Sequence, residues 1–266
     1  MRFKFSMQLR GDGLHSLPSN HQYEFFSWIN KTLHFGNQAM TNFFKKKGYL
    51  DMQYQFNHFT FSPLAVRDFS FQDDRMFIGD SRISMVLSII PDLELKTLIP
   101  ELFTGIEGRV GDKKSKLEFK VEEVELLPEP FFGDVVTLGC SNPLVMSDDS
   151  NPKKNQFISP EEKGYEKLFF KNLMAKYALL MKFFPGNGNV AFPDLSELKF
   201  TLIGSVKSRV IKVRTETITP LSIKGHHFLF SLKAPAPLIK TGYALGFGES
   251  CNLGFGFCEV KDNQGV

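Results

Sequence analysis

The chain is poor in cysteine: Cys140, Cys251 and Cys258 are the only three among 266 residues. They form no C-x-x-C pair and are odd in number, which argues against a disulfide framework and a four-ligand structural zinc set. A reducing compartment is the expectation. Long apolar runs are also missing. None approaches the roughly 18 residues of a membrane span, and the first residues lack the continuous apolar segment of a secretory signal. The reading is a cytoplasmic protein without a membrane partner. Charge of one sign is scarce too, with 32 Lys and Arg against 29 Asp and Glu. What remains, 42% hydrophobic and 23% charged residues with 21 Gly and 14 Pro, excludes disordered, collagen-like and low-complexity classes.

The near-neutral total hides an uneven distribution. Residues 92–129 carry ten acids against six bases, whereas residues 199–240 carry eight bases (199, 207, 209, 212, 214, 224, 233 and 240) against Glu216 alone. A polyanion would be tracked in the second stretch. A solvated strand face accounts for the same charges equally well.

Local patterns divide the chain in two. Met1, Phe3, Phe5, Met7 and Leu9 alternate with polar residues, the mark of a half-buried strand. Turn formers at 11–20 read as a loop, and Phe25, Phe26, Ile29 and Leu33 then recur at helical spacing up to Gly36. A short helix is predicted from Asn37 to Lys47. Strands are predicted at 56–63 and 76–90, the latter broken by Gly79 and Asp80, then a helix at 92–103. A strand at 116–126 follows, with a bulge between Val121 and Val124. That order is the βαββαβ of a ferredoxin-like unit. Pro128 and Pro130 mark a break, giving domains 1–128 and 129–266. In the second, a strand at 135–138 precedes a long helix that the Ser159-Pro-Glu-Glu162 capping box should open. Strands are predicted at 199–206, 210–214, 227–232 and 256–260, with the second helix reduced to a connection at 234–240. The fold class is α+β, two tandem ferredoxin-like (RRM-like) domains ending in a glycine-rich loop.

That loop is the most informative stretch: Gly242-Tyr-Ala-Leu-Gly-Phe-Gly-Glu-Ser-Cys-Asn-Leu-Gly-Phe-Gly256 has five glycines in fifteen residues. Its backbone can approach a ligand and offer amides to an anion. It fits neither G-x-G-x-x-G nor G-K-[ST]. A packed hairpin at a sheet edge is the structural alternative.

The pattern G-Y-x-x-G-F-G-E-x-x-x-x-G-F-G resembles the glycine-rich loop of the repeat-associated RNA-binding superfamily of CRISPR systems, and most of all the endoribonucleases that cut precursor CRISPR RNA. Arg2-Phe-Lys-Phe5, Leu17-Pro-Ser-Asn-His-Gln-Tyr23 and Phe59-Thr-Phe-Ser62 agree with it. The resemblance implies cleavage without metal or cofactor, in which the ribose 2′-hydroxyl attacks its own phosphate and leaves a 2′,3′-cyclic phosphate and a 5′-hydroxyl. CRISPR repeat RNA is the implied partner, together with effector-complex subunits or a second copy of the chain.

Family tyrosine, histidine and lysine positions match Asn30, Lys45 and Asn57, none with the usual side chain. Either the member is silent or its site is rebuilt. His34, four residues after Asn30, is the replacement acid–base candidate, since imidazole titrates near neutrality, and Lys45 is its neighbour for the phosphate. A helix C-terminal cation is the plain alternative for both. His15, His21 and His58 rank lower. His226 and His227 point to opposite strand faces and cannot pair with each other. For RNA binding the candidates are Lys207, Arg209, Lys212 and Arg214 beside the loop residues Gly246, Phe247, Gly248, Ser250, Asn252, Gly254 and Gly256.

Overall fold

A computed structural model describes residues 1–11, 14–46, 59–148, 157–183, 193–213 and 220–261. His58, Asn57, Lys47 and Arg214 lie outside the described residues.

The first half contains β1 (Arg2–Leu9), β2 (His15–Pro18), α1 (Gln22–Phe35), α2 (Gln38–Lys46), β3 (Phe59–Phe61), β4 (Phe69–Gln72), β5 (Arg75–Ile78), β6 (Arg82–Ile89), α3 (Leu95–Phe103), β7 (Glu107–Gly111) and β8 (Lys116–Leu126). The second contains β9 (Val135–Cys140), α4 (Tyr165–Phe183), β10 (Lys199–Val213), β11 (Leu221–Lys233), α5 (Ala236–Leu245) and β12 (Cys258–Val260). One sheet runs β3-β6-β1-β8-β7 and the other β10-β11-β9-β12. Numbering the four core strands of each half in chain order gives the same arrangement, 2-3-1-4, in both. That is the tandem ferredoxin-like fold, with β7 added at one edge. The division at 128/129 falls in the segment between the two sheets.

Local rules account for most elements. Phe3, Phe5, Met7 and Leu9 on one side of β1 are all buried, and the β1–β8 register slips between Ser6 and Met7, opposite Glu123 and Val121, where the alternation predicts a bulge. Asn37 caps α2, its Oδ1 accepting the Met40 amide at 2.8 Å.

Several expectations are corrected. The segment before α1 contains a strand, β2, which with β5 and β4 forms a three-stranded sheet. The capping box does not open α4: Ser159 N donates to Glu162 Oε1 at 2.8 Å, and Gly164 at φ +97° separates that turn from a helix beginning at Tyr165. The strands predicted at 199–206 and 210–214 are one strand, β10, whose register slips between Ile203 and Lys207. The second helix of the C-terminal unit is a full ten-residue element, α5. No helix among the described residues is long and apolar enough to cross a membrane.

Candidate nucleic-acid interface

The glycine-rich segment lies inside the protein, at the seam between the halves. Phe247, Phe255 and Phe257 are 0 to 1% exposed, and Phe247 stacks on Phe169 at 6.0 Å and 8°. A Cβ on Gly256 (φ +66°) would stand 1.9 Å from the Phe247 carbonyl oxygen, and one on Gly248 (φ +80°) 2.4 Å from that of Val145. Glycine is required there by backbone-to-backbone approach within the chain. The expected cradle of amides is corrected accordingly. The Phe247, Glu249, Gly254 and Gly256 amides donate to the carbonyls of Gly256, Val145, Cys251 and Pro143 at 2.8 to 2.9 Å, so these four are unavailable to a phosphate. Carbonyls of the same segment turn inward onto a cation: buried Lys176 of α4 donates to Gly246 O at 2.7 Å, Gly248 O at 2.6 Å and Cys251 Sγ at 3.2 Å.

The N-terminal motifs meet the segment at this seam. The Thr60 hydroxyl donates to Phe255 O at 3.0 Å, and Asn142 Nδ2 donates to Phe61 O at 2.8 Å. Arg2 lies between the Tyr243 and Phe257 rings and donates to Tyr243 O and Cys258 O. Burial lowers its pKa to about 10. Gly246, Phe247, Gly248, Gly254 and Gly256 are thus packed core. Ser250 and Asn252 are half-buried at the outer edge.

The basic stretch is open. Lys207, Arg209 and Lys212 are exposed along β10. Lys207 pairs with His227 across the β10–β11 ladder. Directly opposed residues, and residues two apart, share a sheet face, so His227, Lys207 and Arg209 project together and Lys212 projects the other way. Arg209 and His227 open with His21, Asn142, Phe69 and Phe71 onto one cavity of about 330 Å³ between the halves. His21 Nδ1 lies 3.1 Å from Pro18 O and His227 Nδ1 3.2 Å from Cys140 O. Carbonyl oxygens accept, so each ring carries its proton on Nδ1 and keeps the Nε2 lone pair. Burial is the main force holding both rings neutral, with the Arg209 charge acting in the same direction, and His21 falls to about 4. Phe69 and Phe71 are 48% and 58% exposed with ring centroids 5.7 Å apart.

At the other end of α1, about 20 Å away at 1.5 Å per residue, stand the candidates from the first helical pair. The His34 ring faces α2 as expected, but rests on buried Phe44 at a centroid distance of 4.9 Å, and its partial burial lowers its pKa. Lys45 is the next residue along α2 and is exposed. Among the described residues no group of three His, Cys, Asp or Glu could hold a metal ion.

Residues 127–260 match the family model described as CRISPR associated protein Cas6, C-terminal, a span of just over half the chain. This chain belongs to the Cas6 family. It is similar to the CRISPR-associated endoribonuclease Cas6 1 of Methanocaldococcus jannaschii, with 24% identity over 98% of this chain and 94% of that protein. A CRISPR-associated endoribonuclease Cas6 of Pyrococcus furiosus is 24% identical over 66% of this chain and 59% of that protein. Among solved structures, a Cas6-related protein from Pyrococcus furiosus superposes with a TM-score of 0.78 at 21% identity, covering 99% of both chains. A RAMP protein described as binding different RNA substrates gives 0.76 at 19%, covering 98% and 100%. Two features of the structure are not marked by the sequence motifs. Lys176 occupies the apolar face of α4, three residues after Leu173 and seven after Phe169, so its period could have revealed it. The meeting of His21, Arg209 and His227 has no local signal, because it is made by domain packing.

Proposed function

We propose that the chain is a metal-independent endoribonuclease that cuts CRISPR repeat RNA within precursor transcripts. The carrying observation is the exposed cationic strand β10, whose Arg209 opens with two imidazoles onto the interdomain cleft, in a chain whose relatives are named as endoribonucleases. The nucleophile belongs to the substrate: the 2′-hydroxyl attacks the adjoining phosphate, so no activated water is needed. The protein must take the 2′ proton, steady the charge on the phosphorane and return a proton to the departing 5′-oxygen. We assign the proton transfers to His34 and the phosphate contact to Lys45. Lys207, Arg209 and Lys212 bind the RNA backbone, joined by Ser250 and Asn252 at the outer edge of the glycine-rich segment.

A second reading, a family member that holds repeat RNA without cutting it, is favoured by the His34 ring lying against Phe44 rather than toward open space. Incubation with cognate repeat RNA in excess EDTA separates the two. Cutting at one position with a cyclic phosphate end supports the enzyme, and a stable complex with intact RNA supports the binder.

A further inference from the structure

We propose that Cys140 and Cys258 are a cross-strand dithiol that closes reversibly to a disulfide, a covalent modification site that stands apart from the RNA reading. The two residues oppose each other directly in the β9–β12 ladder. Main-chain bonds flank them: Ser141 N donates to Phe257 O at 3.0 Å and Lys261 N to Thr137 O at 2.9 Å. Antiparallel pairs alternate between hydrogen-bonded and non-hydrogen-bonded kinds. Pairs 257/141 and 261/137 are of the first kind, so 258/140 is of the second, in which Cα atoms stand about 4.5 Å apart and side chains are closest. That spacing lies within the range a disulfide spans, roughly 4.4–6.8 Å. The sulfurs are 3.7 Å apart, with Cys258 donating to Cys140.

The pair is asymmetric, as an attacking and a resolving thiol need to be. Cys140 is half-buried and lines an open cavity of about 540 Å³ with Lys207, His227 and Lys261. Cys258 is 1% exposed. Tyr165, itself 2% exposed, has a buried hydroxyl with no hydrogen-bond partner among the described residues, and burial raises its pKa, with negative charge at Cys140, Cys258 or Glu249 acting in the same direction. Cys251 is the rival and is otherwise engaged: its sulfur accepts from Lys176 and donates to Gly248 O at 3.3 Å.

A peroxide is the oxidant class. Cys140 sulfur attacks one peroxide oxygen, the O–O bond breaks, and one water leaves with the thiol proton, giving the sulfenic acid. Cys258 sulfur then attacks Cys140 sulfur. The S–S bond forms, the S–O bond breaks, and the hydroxyl leaves as a second water carrying the Cys258 proton. Two thiols and one hydrogen peroxide thus give one disulfide and two waters, the sulfurs being oxidised by two electrons and the peroxide reduced.

The test treats the reduced full chain with hydrogen peroxide and follows intact mass and peptide maps. The expected result is a loss of about 2 Da and a Cys140–Cys258 cross-linked peptide. Dithiothreitol restores the reduced mass, and the oxidised form has the higher unfolding midpoint. Cys251→Ser keeps the cross-link. Cys258→Ala loses it, and so does Cys140→Ser, which alters the more exposed thiol and spares the core. A cross-link to Cys251, a gain of about 16 or 32 Da at Cys140 without cross-linking, or three thiols still open to alkylation in unfolding buffer would overturn the proposal.

Discussion

The sequence marks two regions for RNA, the glycine-rich segment and the basic stretch, and they end in opposite environments. The glycine-rich segment is buried, with amides donating to internal carbonyls and two of its carbonyls closed on Lys176. The ribbon β10–β11 presents Lys207 and Arg209 to solvent beside a cleft. Dense glycine therefore reports close backbone approach, and the body approached here is the protein itself. The motifs that carry the family resemblance, Arg2 and Thr60–Phe61 among them, are largely the other side of the same seam.

The comparison breaks most readily by loading the seam. Gly256→Ala adds a Cβ against the Phe247 carbonyl at positive φ and should lower unfolding free energy by at least about 3 kcal/mol in denaturant titration. Unchanged stability would mean the segment is not packed as described. Lys176→Met leaves the Gly246 and Gly248 carbonyls without their donor, and a loss of about 2–3 kcal/mol is expected.

On the open side the signature is binding without loss of stability. Arg209→Ala and Lys207→Ala should leave the melting midpoint in place. Each should weaken repeat RNA binding and lower the log–log salt slope by about 0.7 to 0.9, the value for one phosphate contact. His34→Ala should slow cleavage at saturating RNA more than it weakens binding. Equal loss in both would remove its assigned role.

The effect confined to acid pH is titration of the cleft. Folding depresses the His21 pKa from 6.5 to about 4, so between those values the unfolded chain binds the extra proton. Stability from this group is full above about pH 6.5 and falls as pH drops toward 4, by up to about 3 kcal/mol. His21→Asn should flatten that limb, and an unchanged pH profile would contradict the burial of this ring.

How much was legible follows from the range of each signal. Alternation in β1 and β8 and the bulge between them are local patterns, and they read correctly. Strands β2 and β4 were missed because each is four residues long: β2 has one apolar buried residue, Leu17, and β4 alternates Phe with polar residues over too short a run and is exposed throughout. The capping box misled because a formed side-chain bond at Glu162 does not oblige a helix to continue across Gly164. His34 was correctly turned toward α2, but periodicity could not show that Phe44 would meet it. The cleft joins His21 to His227 across most of the chain, a contact only tertiary packing creates.

The central claim is tested most directly by mixing the protein with its repeat RNA in excess EDTA and examining the ends of any product. The account predicts one cut, leaving a 2′,3′-cyclic phosphate and a 5′-hydroxyl. RNA that is bound yet intact after prolonged incubation, or cut only when a divalent metal is restored, would contradict it.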